Sequence, residues 1–221
     1  MVCKGGVIIV RNRNPEKTVE KILHVSRDLF FEKGYDNTTM QDIIDQGLSK
    51  GAIYHHFKSK REIFERIMQG IEGDNNCVIS ITNMRDTNAL ERLKELLYIR
   101  LTDEEKIKLL QKAKTLFEDP KVFGELYKVN IKYTTEQIKE FINQGNEDSS
   151  MQCSYVEETA ELITLFFSVW IGTSIYDVSQ EEFRKKVEYY SMLFQNSGVN
   201  LMDERLYTAL LTYYEKIAKV A

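Results

Sequence analysis

Apolar residues return at intervals of three and four along almost the whole chain, and nowhere alternate with the period of two that a half-buried strand requires. Val19, Ile22, Leu23, Leu29 and Phe30 mark a first helix, opened by Asn14, Pro15 and Glu16 and closed by Lys33-Gly34. A polar break, Asp36-Asn37-Thr38, leads into a short second helix through about Gln46, which Thr38 or Thr39 would cap. Gly47-Leu48 then turns the chain, and Ser49 would cap a third helix of two turns, from Lys50 to about Phe57. Ser59 with Glu62 reads as a capping box for a fourth helix, whose apolar face is Ile63, Phe64, Ile67, Met68 and Ile71. Further helices are predicted at roughly 86–100, 103–118, 121–144, 154–176, 179–197 and 203–219. Their start and stop signals are Pro120, Gly145-Asn146, Ser154 with Glu157, Ser179 with Glu182, Ser197-Gly198 and Asp203.

Two prolines and eleven glycines in 221 residues agree with so helical a chain. The net charge of −4 hides an asymmetry. Residues 1–70 hold twelve Lys+Arg against nine Asp+Glu, and the remainder holds eighteen against twenty-five, so a basic head precedes an acidic body. Three widely spaced cysteines, Cys3, Cys77 and Cys153, suggest neither a disulfide framework nor a metal site. The start of the chain carries too short an apolar run for a signal peptide. The most apolar internal stretch, Leu162 to Ile171, is about half of a membrane span, so no membrane partner and a cytoplasmic location are expected. No HExxH, nucleophile elbow, phosphate loop or paired Cys/His set occurs, which leaves no enzyme chemistry to assign and no cofactor to predict.

A short helix, a glycine turn and a second short helix, braced by longer helices, outline a helix-turn-helix. From Gln46 to Arg61 there are four basic residues (Lys50, Lys58, Lys60, Arg61) and no acid, with small residues at Gly51 and Ala52. Tyr54, His55 and His56 add hydrogen-bonding side chains suited to phosphates or base edges. Adjacent histidines on a helix diverge by about 100° and cannot share one ion, and His24 lies on another helix, so no metal is predicted.

The stretch from Thr39 to Lys60, above all Ser49-Lys-Gly-Ala-Ile-Tyr-His-His-Phe-Lys-Ser-Lys60, together with Leu29-Phe-Phe-Glu-Lys-Gly-Tyr35, resembles the DNA-binding head of the tetracycline-repressor (TetR) family. The resemblance implies an all-α fold, with an N-terminal three-helix helix-turn-helix DNA-binding head followed by a larger helical ligand-binding and dimerisation domain. The expected division is an N-terminal extension at 1–14, the head at 15–72 and the body at 73–221. By this resemblance the third helix enters the major groove of double-stranded DNA. Ser49 would cap it beside a phosphate, Gly51 would permit close approach, and Lys50, Tyr54 and His55 would meet bases or backbone. Lys58 and Lys60 would grip phosphates, and Thr38 and Thr39 would add a backbone contact. Relative to the family pattern, the stretch from Asp42 to Ser49 is one residue short, so helix two would end early or change register.

The resemblance further implies a pocket in the body for a small-molecule effector, and Tyr98, Phe117, Phe123, Tyr127 and Tyr133 are the candidates to line it. The run Leu162–Ile171 is apolar on nearly all sides, and a helix of that kind must be buried all round. Phe166 and Trp170 there, with the stripe Leu206, Leu210, Tyr213 and Ile217 on the last helix, are expected to form a homodimer interface; the alternative is a wholly intramolecular core. The function expected is a ligand-responsive repressor that binds a palindromic operator as a homodimer and is released by its effector. A helical sensor or interaction module that has lost DNA binding is the alternative.

Overall fold

The computed structural model describes residues 15–72, 81, 84, 86–113, 118–171 and 178–218. The N-terminal extension at 1–14, with the Asn14 cap, and the effector candidate Phe117 lie outside the described residues. All regular structure among the described residues is helical. The chain divides into two compact units between Phe64 and Glu65, inside the fourth helix and earlier than the expected boundary at 72. Phe64 is the last residue of the first unit and belongs to its aromatic cluster, which explains where the division falls.

The first unit holds α1 (Pro15–Lys33), α2 (Met40–Asp45), α3 (Lys50–His56) and the start of α4 (Lys60–Glu72). Its core is Ile22, Leu29 and Phe30 of α1, Ile43 of α2, Ile53 of α3 and Ile63 and Phe64 of α4, all buried. Leu48 and Phe57 close it at the two turns. Both turns between α1 and α3 depend on glycine: Gly34 has φ +83° and Gly47 has φ +79°, conformations that cost a side-chain-bearing residue about 1–2 kcal/mol. The local signals work as read. Thr39 caps α2 through a reciprocal box with Asp42, and Ser49 caps α3 by accepting the Ala52 N–H at 3.1 Å. Ser59 accepts the Glu62 N–H at 3.2 Å, while the Glu62 carboxylate accepts the Lys58 N–H at 2.7 Å. The shortened stretch is accommodated by a six-residue α2 that gives way to Gln46 and the left-handed Gly47.

The second unit comprises α5 (Ala89–Thr102), α6 (Glu104–Lys112), α7 (Pro120–Val129), α8 (Thr135–Glu147), α9 (Val156–Thr164), α10 (Gln180–Asn196) and α11 (Glu204–Ala218). Helix α8 packs on α9 and α5, and α11 packs on α5, α6 and α10. The shared core draws on Leu93, Leu96 and Leu97, Ile138 and Ile142, Ile163, Phe194 and Leu210. Wider π-helical turns, Asn130–Thr134 and Leu165–Trp170, join α7 to α8 and extend α9. Between them lies a buried polar contact, Thr135 Oγ1 to Thr164 Oγ1 at 3.1 Å.

Two expected signals act otherwise. The helix predicted to stop at Gly145 runs on to Glu147, and Gly145 instead makes room for Met151, whose Cγ would lie 2.6 Å from a Cβ at that position. The predicted box of Ser154 with Glu157 does not cap α9, because the cap position is Tyr155 and the spacing is out by one. Beyond Glu147 the chain turns through Ser149 (φ 63°), and this turn holds the start of α5 from 59 residues away. Asp148 accepts the Ala89 N–H at 2.7 Å and Ser150 Oγ accepts the Leu90 N–H at 3.3 Å. Helix α10 ends at Gly198 (φ +87°), where a Cβ would lie 2.0 Å from the Gln152 carbonyl oxygen. Asp203 caps α11 through the Leu206 N–H at 2.9 Å, as expected.

Candidate nucleic-acid interface

Helix α3 is seven residues long and divides cleanly into two faces. Ile53 is fully buried and Phe57 nearly so, which anchors the helix on the first unit's core. On the other face Ser49, Lys50, Gly51, Tyr54, His55 and Lys58 are all exposed. Tyr54 is 46% exposed despite its aromatic ring, and the Lys50 ammonium lies 6.0 Å from the ring centroid. The His55 and His56 rings meet edge to face at 4.9 Å. A Cβ on Gly51 would meet nothing within 4 Å, so the packing of the protein itself does not require glycine there.

This face is costly for the helix that bears it. Lys50 occupies the first turn, where the helix dipole is positive and an acidic residue would be favoured, and the first turn contains no acid. Gly51 inside a helix costs about 0.5–1 kcal/mol relative to alanine. An aromatic ring, an unfavourably placed cation and a gratuitous glycine, side by side and open to solvent, fit a surface shaped for something other than folding. Their chemistry suits a polyanion: amides and a hydroxyl at the helix start, one cation, and a ring with a phenolic hydroxyl.

The turn before α2 gives the predicted residues different tasks. Thr38 is fully buried, and its hydroxyl donates to the main-chain carbonyls of Gly34 (2.8 Å) and Leu29 (3.3 Å). The expectation that Thr38 touches a DNA backbone is therefore corrected: its side chain locks the turn from inside. Thr39 is exposed, and its hydroxyl is engaged with the Asp42 carboxylate at 2.5 Å. The Lys33 ammonium, 2.8 Å from Asp42, is the first cause holding that carboxyl well below the usual range, followed by Thr39. The pair ties the end of α1 to α2. Lys60 places its ammonium 2.5 Å from the Tyr35 carbonyl oxygen and 4.3 Å from the centroid of the Tyr35 ring. Sequence spacing gives no sign of the Lys33–Asp42 pair or of this contact, since they join residues 9 and 25 positions apart.

In the second unit, the candidates for an effector pocket are not gathered on one element. Tyr98 of α5 is half-buried, with the Arg205 guanidinium 3.6 Å from its ring centroid. Phe123 and Tyr127 lie four residues apart on α7, the first half-buried and the second 43% exposed. Tyr133 is exposed on the π-helical turn beside Lys132.

The candidates for a dimer face are corrected in most positions. Phe166, Leu206, Leu210, Tyr213 and Ile217 are buried within the single chain, because α11 presents its stripe to α5, α6 and α10. The intramolecular alternative holds for them. Trp170 stays exposed, and α10 adds two more large exposed residues, Tyr189 and Met192. The latter two lie beside the helix's apolar stripe of Phe183, Val187, Tyr190 and Phe194 and do not share its spacing, which is why the sequence did not single them out.

Comparison with known proteins bears on this geometry. Residues 22–67, which run from α1 into α4, match the family model described as bacterial regulatory proteins, tetR family. The chain is 26% identical over 181 residues to the biofilm operon icaADBC HTH-type negative transcriptional regulator IcaR of Staphylococcus aureus, covering 79% of this chain and 96% of that protein. The Staphylococcus epidermidis IcaR is 27% identical over 186 residues, with the same coverage. Among solved structures, a gamma-butyrolactone receptor (ArpA-like protein) shares the fold at a TM-score of 0.51 and 19% identity, over 92% of this chain and 99% of that one. The core-anchored helix-turn-helix, with its cationic outer face, thus lies inside the segment that matches the tetR family of bacterial regulatory proteins.

Proposed function

We propose that the protein is a DNA-binding transcriptional repressor that acts as a homodimer in the cytoplasm and is released from a palindromic operator by a small-molecule effector. The observation that carries the DNA-binding part is the exposed face of α3, where Lys50, Gly51 and Tyr54 are open to solvent at a cost to the helix, while Ile53 fixes its inner side. Overall negative charge does not oppose binding, because salt screens charges beyond about 8–10 Å and the local surface governs phosphate contact. The relation to IcaR, a negative regulator, favours repression over activation.

Two-fold docking would place two such helices in successive major grooves, about 34–36 Å apart. Trp170, Tyr189 and Met192, exposed on the π-helical end of α9 and on α10, are the side chains that favour a second copy of the chain at that face. An effector bound in the second unit would release DNA only by as much as it prefers a conformation with the heads wrongly spaced. Tyr98, Phe123 and Tyr127 remain the residues proposed to meet it.

Selection of duplexes from a randomised pool tests the proposal directly. A palindromic consensus is expected, bound with an affinity that falls steeply with salt. Failure to enrich any sequence would refute DNA binding. In sedimentation, the wild-type chain should run at twice its 25.9 kDa mass and Trp170→Glu at the monomer mass. A wild-type monomer would remove the two-fold part alone.

A further inference from the structure

Lys60 is the first residue of α4 and stands three positions after Phe57, the C-cap of α3. Its ammonium turns back toward the first unit's interior side. It donates to the Tyr35 carbonyl at 2.5 Å, lies 3.5 Å from the Asp36 carbonyl, and covers the Tyr35 ring at 4.3 Å. An ammonium has three donors, and two main-chain oxygens with an aromatic face occupy most of its hemisphere. The receiving turn is rigid. The Tyr35 ring packs against Phe64 at 4.7 Å and Phe30 at 5.4 Å between centroids. The Tyr35 carbonyl also accepts the Thr38 N–H at 3.3 Å, and the buried Thr38 hydroxyl ties the same turn to Leu29 and Gly34. The next residue, Thr39, is the cap of α2.

We propose that Lys60 is a positioning residue for DNA binding: its ammonium clasps the turn before α2 to the turn after α3, and so sets the pitch of α3, instead of neutralising a phosphate. One cation thereby closes both ends of the α2–α3 segment, a separation of 25 residues. Inside that segment the chain turns at Gly47, whose N–H and that of Leu48 donate to the Ile44 carbonyl at 3.2 Å while Leu48 is buried. The clasp adds, from outside, a second constraint to the one that this turn supplies. Lys58, two residues earlier and exposed, is the cation left to face a phosphate.

The inference rests on the DNA-binding proposal, and one experiment separates the two. The probe is a duplex selected by the wild-type chain from a randomised pool, titrated by fluorescence anisotropy over a range of KCl concentrations. Lys60→Met, Lys60→Arg and Lys58→Met are compared. Lys60→Met should weaken binding roughly tenfold, the equivalent of one charge-assisted hydrogen bond, while the salt slope stays at the wild-type value. Lys58→Met should flatten that slope by about 0.9, the loss of one neutralised phosphate. Lys60→Arg, which keeps donors and a cation for the ring, should stay within about threefold of wild type. Amide hydrogen exchange at residues 36–39 should quicken in Lys60→Met and not in Lys58→Met.

A slope flattened by about 0.9 in Lys60→Met, with exchange at 36–39 unchanged, would make Lys60 a phosphate contact and overturn the clasp while leaving DNA binding intact. Wild-type affinity and exchange in Lys60→Met would overturn it equally. If the wild-type chain selects no duplex at all, DNA binding itself fails before any variant is made, and the role of Lys60 with it.

Discussion

Three substitutions along one seven-residue helix separate what α3 does for the fold from what it does for DNA. Tyr54 is 46% exposed, so truncation to alanine gives up about half of the 1.5–3 kcal/mol that full burial of a large side chain provides, roughly 1 kcal/mol. Alanine returns about half of that through its higher helix propensity. Lys50→Ala removes a cation from the positive end of the helix and, at most, a weak contact with the Tyr54 ring at 6.0 Å, so its effect on stability should be near zero or slightly favourable. Ile53→Ala empties a fully buried site and should cost about 2–5 kcal/mol. At about 4–8 °C per kcal/mol for a unit of this size, the first two variants should melt within a few degrees of wild type, and Ile53→Ala about 8 °C or more lower. DNA affinity should show a different order. Lys50→Ala and Tyr54→Ala should each lose about 1–3 kcal/mol of binding, measured by anisotropy on a selected duplex with melting followed by circular dichroism. The reasoning fails if either binds like wild type, or if Tyr54→Ala melts as low as Ile53→Ala.

Two further outcomes rest on backbone and charge. Gly198→Ala combines a left-handed φ with a Cβ 2.0 Å from the Gln152 carbonyl oxygen and should cost roughly 2–4 kcal/mol, whereas Gly47→Ala, at a similar φ in open space, should cost only the conformational term of about 1 kcal/mol; equal melting temperatures for the two would contradict this. The Asp42 carboxyl is held below its ordinary value by Lys33 and Thr39, so its contribution to stability is fully present above the ordinary value of 3.8 and disappears as pH falls toward the lowered one. The difference in melting temperature between wild type and Asp42→Asn should therefore be constant at neutral pH and shrink below pH 4, and a difference unchanged down to the acid limit would remove the assignment.

What the sequence discloses here is whatever one turn of chain decides by itself. Ser49, Gly34, Gly47, Ser179 and Asp203 act as read, because a cap or a left-handed glycine depends on neighbours within three or four positions. The ambiguity between Thr38 and Thr39 is of another kind. Both positions suit a cap, and only the fold shows that one hydroxyl faces the carbonyls of Leu29 and Gly34 while its neighbour faces Asp42. Periodicity identifies Leu206, Leu210, Tyr213 and Ile217 as a stripe that must be buried, but burial against α5 and burial against a second chain leave the same pattern. The exposed Tyr189 and Met192 are invisible for the converse reason, since Tyr189 stands next to Tyr190 of the buried stripe and Met192 between Tyr190 and Phe194, and each reads as part of the same apolar run. Lys60 shows the limit most clearly: a lysine beside a helix-turn-helix invites a phosphate, and its use on the Tyr35 carbonyl depends on a contact 25 residues distant.

The short turn at 148–150 has a practical consequence. A polar, solvent-facing tip between two helices is the usual choice for grafting a tag or a fluorophore sequence. Here Asp148 and Ser150 serve as the missing first turn for α5, whose Ala89 and Leu90 amides have those side chains as acceptors. Lengthening the tip by even a few residues would withdraw both stoppers at once and fray a helix that carries Leu93, Leu96 and Leu97 into the core, so a reporter spliced there would unsettle the body from a place that looks dispensable.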